Sequence, residues 1–280
     1  MTRREFLAGS ALVAGYALAA KPVFAKAIQT DEVGMMTGEV EIPVAGGSMA
    51  AYFAAPEGVT DLPVALVVHE IFGVHEYVRD VCRRLAKEGF FAIAPNLYQR
   101  QGDVTKIADV DAIISQVVTK VPDAQVMADL DATLAWIGAE GRADVSRTVI
   151  TGFCWGGRIV WLYSAHNLDV LAGAAWYGRL TGEQRPETPT HPFDVARSEH
   201  APVLGLYGTE DSGIPVESVQ EMRARLTASG QRSEIMLFPG ASHGFHADYR
   251  ASYRAMAGTE GWRRMLVWFR KFRAKSNPID

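Results

Sequence analysis

Between Leu62 and Phe238 the chain repeats one arrangement: a short continuous apolar run, then a stretch with helical period. The first run, Leu62–His69 (LPVALVVH), has no polar alternation, so a strand made from it must be buried on both faces. Val78, Val81, Cys82 and Leu85 then follow a 3.6-residue period that ends at Gly89. The arrangement recurs as strand Phe90–Ala94, a helical stretch after Pro122-Asp123, strand Arg147–Thr151 and helix Gly156–His166. It continues with strands Leu171–Tyr177 and Ala201–Tyr207, helix Pro215–Ala228, strand Ser233–Phe238 and a helix near Gly261–Lys275. This order predicts an α/β fold with a mostly parallel central sheet and helices on both faces. Ahead of it, Gly38–Pro56 alternates apolar and polar residues around Ala45-Gly46-Gly47-Ser48, the pattern of an N-terminal antiparallel hairpin.

The first 25 residues stand apart. Thr2-Arg3-Arg4-Glu5-Phe6-Leu7 opens an apolar stretch, Phe6–Ala20, followed by Lys21. This outline is that of a twin-arginine export signal. The stretch is shorter than the roughly 20 residues needed to cross a bilayer, so a leader cleaved after Ala25 is expected, with no stable membrane span afterwards. An amphipathic helix that happens to carry Arg3-Arg4 is the alternative. On the export reading the twin-arginine machinery is a partner, the destination is the periplasm or the exterior, and residues 26–280 form a single domain. No linker, charge run or internal repeat divides that stretch. Lys and Arg number 28 against 32 Asp and Glu, a formal charge of −4. Nothing in that balance would neutralise phosphates, so nucleic acid is not an expected partner. The longest irregular stretch, Leu180–His200, holds three prolines and is either a surface connection or a wall over a pocket.

The most specific local signal is Gly152-Phe153-Cys154-Trp155-Gly156-Gly157, between a predicted strand and a predicted helix. It has the pattern of a nucleophile elbow with Cys in place of Ser. Such a turn is too tight for side chains on its near neighbours, which accounts for Gly152 and Gly156. It would present the sulfur at the carboxyl edge of the sheet and at a helix N-terminus, which favours a thiolate. Read alone, Cys154 could equally be an inert buried cysteine. Asp211 follows strand Ala201–Tyr207, however, and His243 follows strand Ser233–Phe238, so both belong to the same edge. Cys154, Asp211, His243 is the nucleophile, acid, base order of the α/β-hydrolase fold. His243 would move the proton between sulfur and leaving group, and Asp211 would fix its tautomer. His243 and His246 form an H-x-x-H near Asp248, but no third ligand or helical HExxH pattern accompanies them, so neither a metal nor a cofactor is expected.

Val68-His69-Glu70-Ile71-Phe72-Gly73, Ala94-Pro95-Asn96-Leu97-Tyr98, the cysteine elbow, Trp176-Tyr177-Gly178, Tyr207-Gly208-Thr209-Glu210-Asp211 and His243-Gly244-Phe245 occur in this order. Together they resemble the dienelactone hydrolase (carboxymethylenebutenolidase) family from about residue 38 to 275. The resemblance implies a hydrolase that opens a carboxylic ester or lactone through an acyl-enzyme on Cys154, with a small-molecule substrate. It prefers Asp211 over Glu210 as the acid, because the family's glycine-led turn ends on Asp. It implies that Glu70 hydrogen-bonds the resting thiol and takes its proton when substrate binds. The backbone N–H groups of Ile71 and Trp155 would form the oxyanion hole. Tyr98, Tyr177, Phe72 and Arg100 are the substrate-binding candidates.

One departure stands out. Family members that act on dienelactone bind its carboxylate with arginines, one of them a few residues after the catalytic histidine. Here His243 is followed by Gly244-Phe245-His246-Ala247-Asp248-Tyr249-Arg250, with no arginine in the matching place. Arg100 and Arg250 are the substitutes the sequence names without placing. The substrate therefore stays open, as do another acyl or carbon–halogen hydrolysis and a catalytically idle binder of small carbonyl compounds. The chain has two cysteines, and Cys82 falls on the predicted sheet-facing side of its helix, so it reads as a core residue rather than a disulfide partner for Cys154. The sequence sets no oligomeric state.

Overall fold

The computed structural model of the protein describes residues 27–198 and 200–273. The export signal expected at residues 1–25 lies outside them. The alternating segment folds as β1 (Met35–Val44) and β2 (Gly47–Pro56), paired antiparallel from Met35 against Pro56 to Val44 against Gly47. Gly46, at φ +87°, turns the chain between them. Every residue of β3 (Leu62–Val68) and β4 (Phe91–Pro95) is buried, as their unbroken apolar runs require. Helix α1 (Glu76–Lys87) joins these two strands, and α2 (Val110–Gln116) and α3 (Asp123–Glu140) lead on to β5 (Ala143–Phe153). Then come α4 (Trp155–His166), β6 (Ala172–Trp176), the one-turn α5 (Pro192–Val195) and β7 (Val203–Gly208). The described chain ends with α6 (Val216–Ala228), β8 (Glu234–Phe238) and α7 (Ala255–Arg273).

The eight strands form one sheet in the order β1-β2-β4-β3-β5-β6-β7-β8. Pairing is antiparallel for β1 with β2 and β2 with β4, and parallel from β4 through β3, β5, β6 and β7 to β8. The crossover from β3 through α1 to β4 runs one way along the sheet, and that from β5 through α4 to β6 runs the other. Right-handed crossovers in opposite directions put their helices on opposite faces. The reversal falls between β3 and β5. In open parallel sheets the crevice beyond the carboxyl ends at such a reversal is where ligands bind.

Two boundaries differ from the sequence expectation by four residues or more. β5 begins at Ala143 rather than Arg147, because its polar first half pairs with Leu62 and Pro63 at the open end of β3. α7 begins at Ala255 rather than near Gly261. Gly258 and Gly261 lie inside the helix, and a Cβ on Gly261 would sit 2.6 Å from the Trp176 ring. That glycine lets the helix approach the sheet.

Cys82 is fully buried in α1, where burial pushes its thiol well up, and both cysteines are free. Without reductant, Ellman's reagent is expected to titrate two thiols per denatured chain and to leave Cys82 unmodified in the native protein. Denatured protein that yields no thiol would reveal a disulfide and overturn this assignment.

Candidate active site

β5 ends at Phe153 and α4 starts at Trp155, so Cys154 alone reverses the chain, at φ +57° and ψ −114°. A non-glycine residue there carries strain of about 1–3 kcal/mol, sustained only where the surroundings over-determine it. They do so through backbone contact. A Cβ on Gly152 would lie 2.4 Å from the Gly156 carbonyl, and one on Gly156 would lie 2.4 Å from that of Val68 at the end of β3. One on Gly157 would meet the Trp176 carbonyl at 2.5 Å, at the end of β6. The Cys154 N–H donates to the same Trp176 carbonyl at 3.0 Å. The sulfur is thereby fixed, almost fully buried, at the positive end of α4.

Asp211 follows β7 and His243 follows β8. Asp211 Oδ1 accepts the N–H groups of Gly213 (2.9 Å) and Ile214 (3.1 Å), which leaves Oδ2 to accept His243 Nδ1–H at 2.8 Å. That bond leaves Nε2 for the Cys154 sulfur, which lies within hydrogen-bonding reach of the imidazole. Burial disfavours the imidazolium, but the Asp211 carboxylate and then the sulfur outweigh it and push His243 up to about 10. Glu210, the neighbouring carboxylate, is exposed, whereas Asp211 is buried.

Glu70 lies just past β3, fully buried. Its Oε2 accepts Tyr249 O–H at 2.5 Å and an Arg250 N–H at 3.1 Å, with His75 Nε2 at 3.6 Å. Burial opposes the charge, yet Arg250 and then His75 hold the carboxyl down at about 2. The hydrogen bonds of Glu70 thus run to Tyr249 and Arg250 rather than to the thiol. Its Oε1 is buried without a hydrogen-bond partner among the described residues. Arg250 stacks its guanidinium 5.1 Å from the Phe72 ring and lies near Cys154. Sequence reading named Arg250 without a position and missed His75 and Tyr249, since nothing local in a loop after residue 243 signals a partner at residue 70.

The remaining candidates divide. Tyr177, at φ +38°, is fully buried with its ring edge 5.0 Å from His243. Tyr98 packs edge-on to Trp155 at 4.8 Å and to His69 at 4.5 Å. His69 donates Nδ1–H to the Glu70 carbonyl (2.7 Å) and accepts the Leu97 N–H on Nε2 (3.2 Å). Burial keeps it neutral by lowering it to about 4, and its ring stacks on Trp155. It thereby braces the backbone leading into Ile71 and the residue that opens α4. The Trp155 amide, first in its helix, has no intrahelical acceptor. Arg100 is not brought to this cluster: it pairs with Asp129 on α3 and reaches the Ala45 carbonyl at 3.4 Å, because that carboxylate lies nearer than the sheet edge. His246 bonds the Tyr77 hydroxyl at 2.6 Å between the rings of Phe153 and Trp262, and Asp248 pairs with Arg84 at 2.5 Å. His243, His246 and Asp248 therefore face different partners: Asp211, Tyr77 and Arg84.

Beside the elbow, Ile71 and Trp155 line a cleft of about 260 Å³ whose far side is built from Gly182, Glu183, Thr188 and His191. Residues 182–191 of the Leu180–His200 stretch therefore form a wall of a pocket, one of the two readings its sequence allowed.

Residues 49–273 match the model of the dienelactone hydrolase family. A Methylorubrum extorquens protein named as a candidate carboxymethylenebutenolidase is 53% identical over 273 residues, covering 97% of this chain and 94% of that one. An Escherichia coli K12 protein with the same name is 50% identical over 264 residues, covering 94% and 97%. The crystal structure of a candidate dienelactone hydrolase from Klebsiella pneumoniae superposes with a TM-score of 0.83 at 51% identity, covering 85% of this chain and 99% of that one.

The Glu70 environment has a consequence for acid stability. With its carboxyl held near 2 in the fold, against an ordinary value of 4.5, the contribution of ionised Glu70 is complete above about pH 4.5 and fades as pH falls toward 2. Glu70→Gln leaves the buried Arg250 charge unpaired and is expected to destabilise the protein by about 3–5 kcal/mol at pH 7. The gap in melting temperature between wild type and variant should shrink through that acid window. A gap that stays constant from pH 7 to pH 3 would contradict the assignment.

Proposed function

The chain belongs to the dienelactone hydrolase family, and from that premise we propose that it hydrolyses a carboxylic ester or lactone through a thioester on Cys154. What supports this reading is that Cys154, His243 and Asp211 follow the ends of three different strands, with His243 hydrogen-bonded to Asp211 and close enough to Cys154 for the sulfur to act on it. Below about pH 10 His243 already carries the proton, so the sulfur attacks the carbonyl carbon with the imidazolium beside it, and Asp211 stabilises that imidazolium. The oxyanion is received by the N–H groups of Ile71 and Trp155; one such donor is worth about 2.7–4 kcal/mol in comparable sites. When the tetrahedral adduct collapses, the imidazolium gives its proton to the departing alkoxide. The neutral His243 then takes a proton from the water that cleaves the thioester, which releases the acid and restores the imidazolium beside the free sulfur. Glu70 serves this cycle by holding Arg250, with Phe72 behind it, as a fixed positive charge beside the sulfur. No step calls on a metal or cofactor. Residues 1–25 act in this reading as a twin-arginine signal that delivers the folded enzyme to the periplasm or beyond.

Cys154→Ala is expected to abolish turnover of p-nitrophenyl acetate and of a lactone panel, and Cys154→Ser to retain only a small residue of it, because a hydroxyl is far harder to ionise. Equal rates for wild type and Cys154→Ala would remove the cysteine mechanism. Leaving-group protonation needs the imidazolium, which persists to about pH 10. The alkaline limb of kcat/KM should therefore lie near that pH. Asp211→Asn removes the largest influence raising His243, so it should lower the rate and move the limb to lower pH. A limb unmoved by that change would disprove the assignment of Asp211.

A further inference from the structure

The cleft beside the elbow has two unlike sides. On one, Ile71, Ile114, Val118 and Trp155 give it an apolar surface. On the other, the wall of residues 182–191 is secured by Arg158, a buried residue one helical turn after Cys154. Its guanidinium grips Asp123, the first residue of α3, with two bonds of 2.7 Å, donates to the Thr190 carbonyl at 2.6 Å and reaches His191 Nδ1 at 3.4 Å. The Asp123 N–H adds a bond of 2.8 Å to the Glu187 carbonyl, and His191 Nε2 donates to that of Glu183 at 3.0 Å. One fork thus ties the nucleophile helix, the start of α3 and the pocket wall together. A planar fork of this kind fixes direction as well as distance. Arg158 and Arg179 are also among its lining residues. Apolar walls with arginines among them suit a flat group with a π face. The volume, just under the roughly 300 Å³ at which drug-sized pockets begin, suits a small one.

We propose that this cleft is the subsite for the non-reacting part of the substrate, that it takes a small aromatic group, and that Arg158 is the positioning residue that sets its outer wall. The assignment rests on the ester or lactone reading above and adds the substrate class to it. Three esters test it: ethyl acetate, phenyl acetate with the ring on the alcohol side, and ethyl benzoate with the ring on the acyl side. For each variant, kcat/KM of either aryl ester is divided by that of ethyl acetate and compared with the wild-type quotient, so leaving-group reactivity cancels. Thr119→Trp places an indole in the cleft from an exposed 3-10 turn and should lower the quotient for at least one aryl ester about tenfold. Arg158→Lys keeps the charge but not the fork, and its loss on that ester should fall on KM rather than kcat. Quotients within twofold of wild type for both aryl esters in folded Thr119→Trp would overturn the cleft assignment alone. An Arg158→Lys loss confined to kcat would overturn the positioning role. If wild type cleaves none of the three esters, the hydrolase reading falls and the substrate class falls with it.

Discussion

Everything at this sheet edge depends on how closely the first turn of α4 is pressed between the ends of β3 and β6. Gly156 has no room for a Cβ against the Val68 carbonyl, nor Gly157 against that of Trp176. That closeness forces Cys154 into its left-handed conformation and points its amide at Trp176. The neighbouring groups inherit their positions from it. Ile71 follows the strand that Gly156 touches, Tyr177 follows the strand that Gly157 touches, and Trp155 opens the helix itself. The backbone strain at Cys154 is thus compensated by sheet and helix contacts that the rest of the fold already requires.

Around this point the structure concentrates charge where a core would ordinarily exclude it. Glu70 and Arg250 are both buried, and a buried ion pair is a poor source of stability because desolvation offsets its attraction. The pair is sustained by further bonds: Tyr249 donates to Glu70 and accepts from Arg250 at 3.0 Å, and the guanidinium lies over Phe72. On the other side of the sulfur, Asp211 is held by two backbone amides and holds His243. Two acid–base pairs therefore flank one cysteine, each anchored by bonds that do not involve the sulfur.

Much of this was legible in the sequence, for specific reasons. Unbroken apolar runs reveal strands covered on both faces, and glycines at fixed spacing around Cys154 reveal a turn without room for side chains. Strand order then puts residues 70, 154, 211 and 243 on one edge before any distance is known. What escaped were features whose signal is not local. Glu70 and Arg250 stand 180 positions apart, and no periodicity links a loop arginine to a strand-end glutamate. The seven-residue α2 is too short for its period to emerge from the surrounding polar residues. The sequence places the last helix from near Gly261, whereas that glycine lies inside α7 and lets it approach Trp176.

Arg100 shows why charge type alone does not locate a binding residue. It belongs to the loop that follows β4, a carboxyl end, and so was a reasonable substitute for a missing arginine. Asp129 on α3 lies within its reach, and an arginine that can form a charge-assisted bond at once will not extend toward an apolar edge. Arg250 had the opposite surroundings: a buried carboxylate ahead of it and an aromatic ring beneath it, both close to the sulfur. The two arginines have the same chemistry, and the position of the nearest carboxylate determines which of them serves the site. That carboxylate is Glu70, one residue before the Ile71 amide, so the helix-to-strand contact that would shape the proposed oxyanion hole also determines where the positive charge stands.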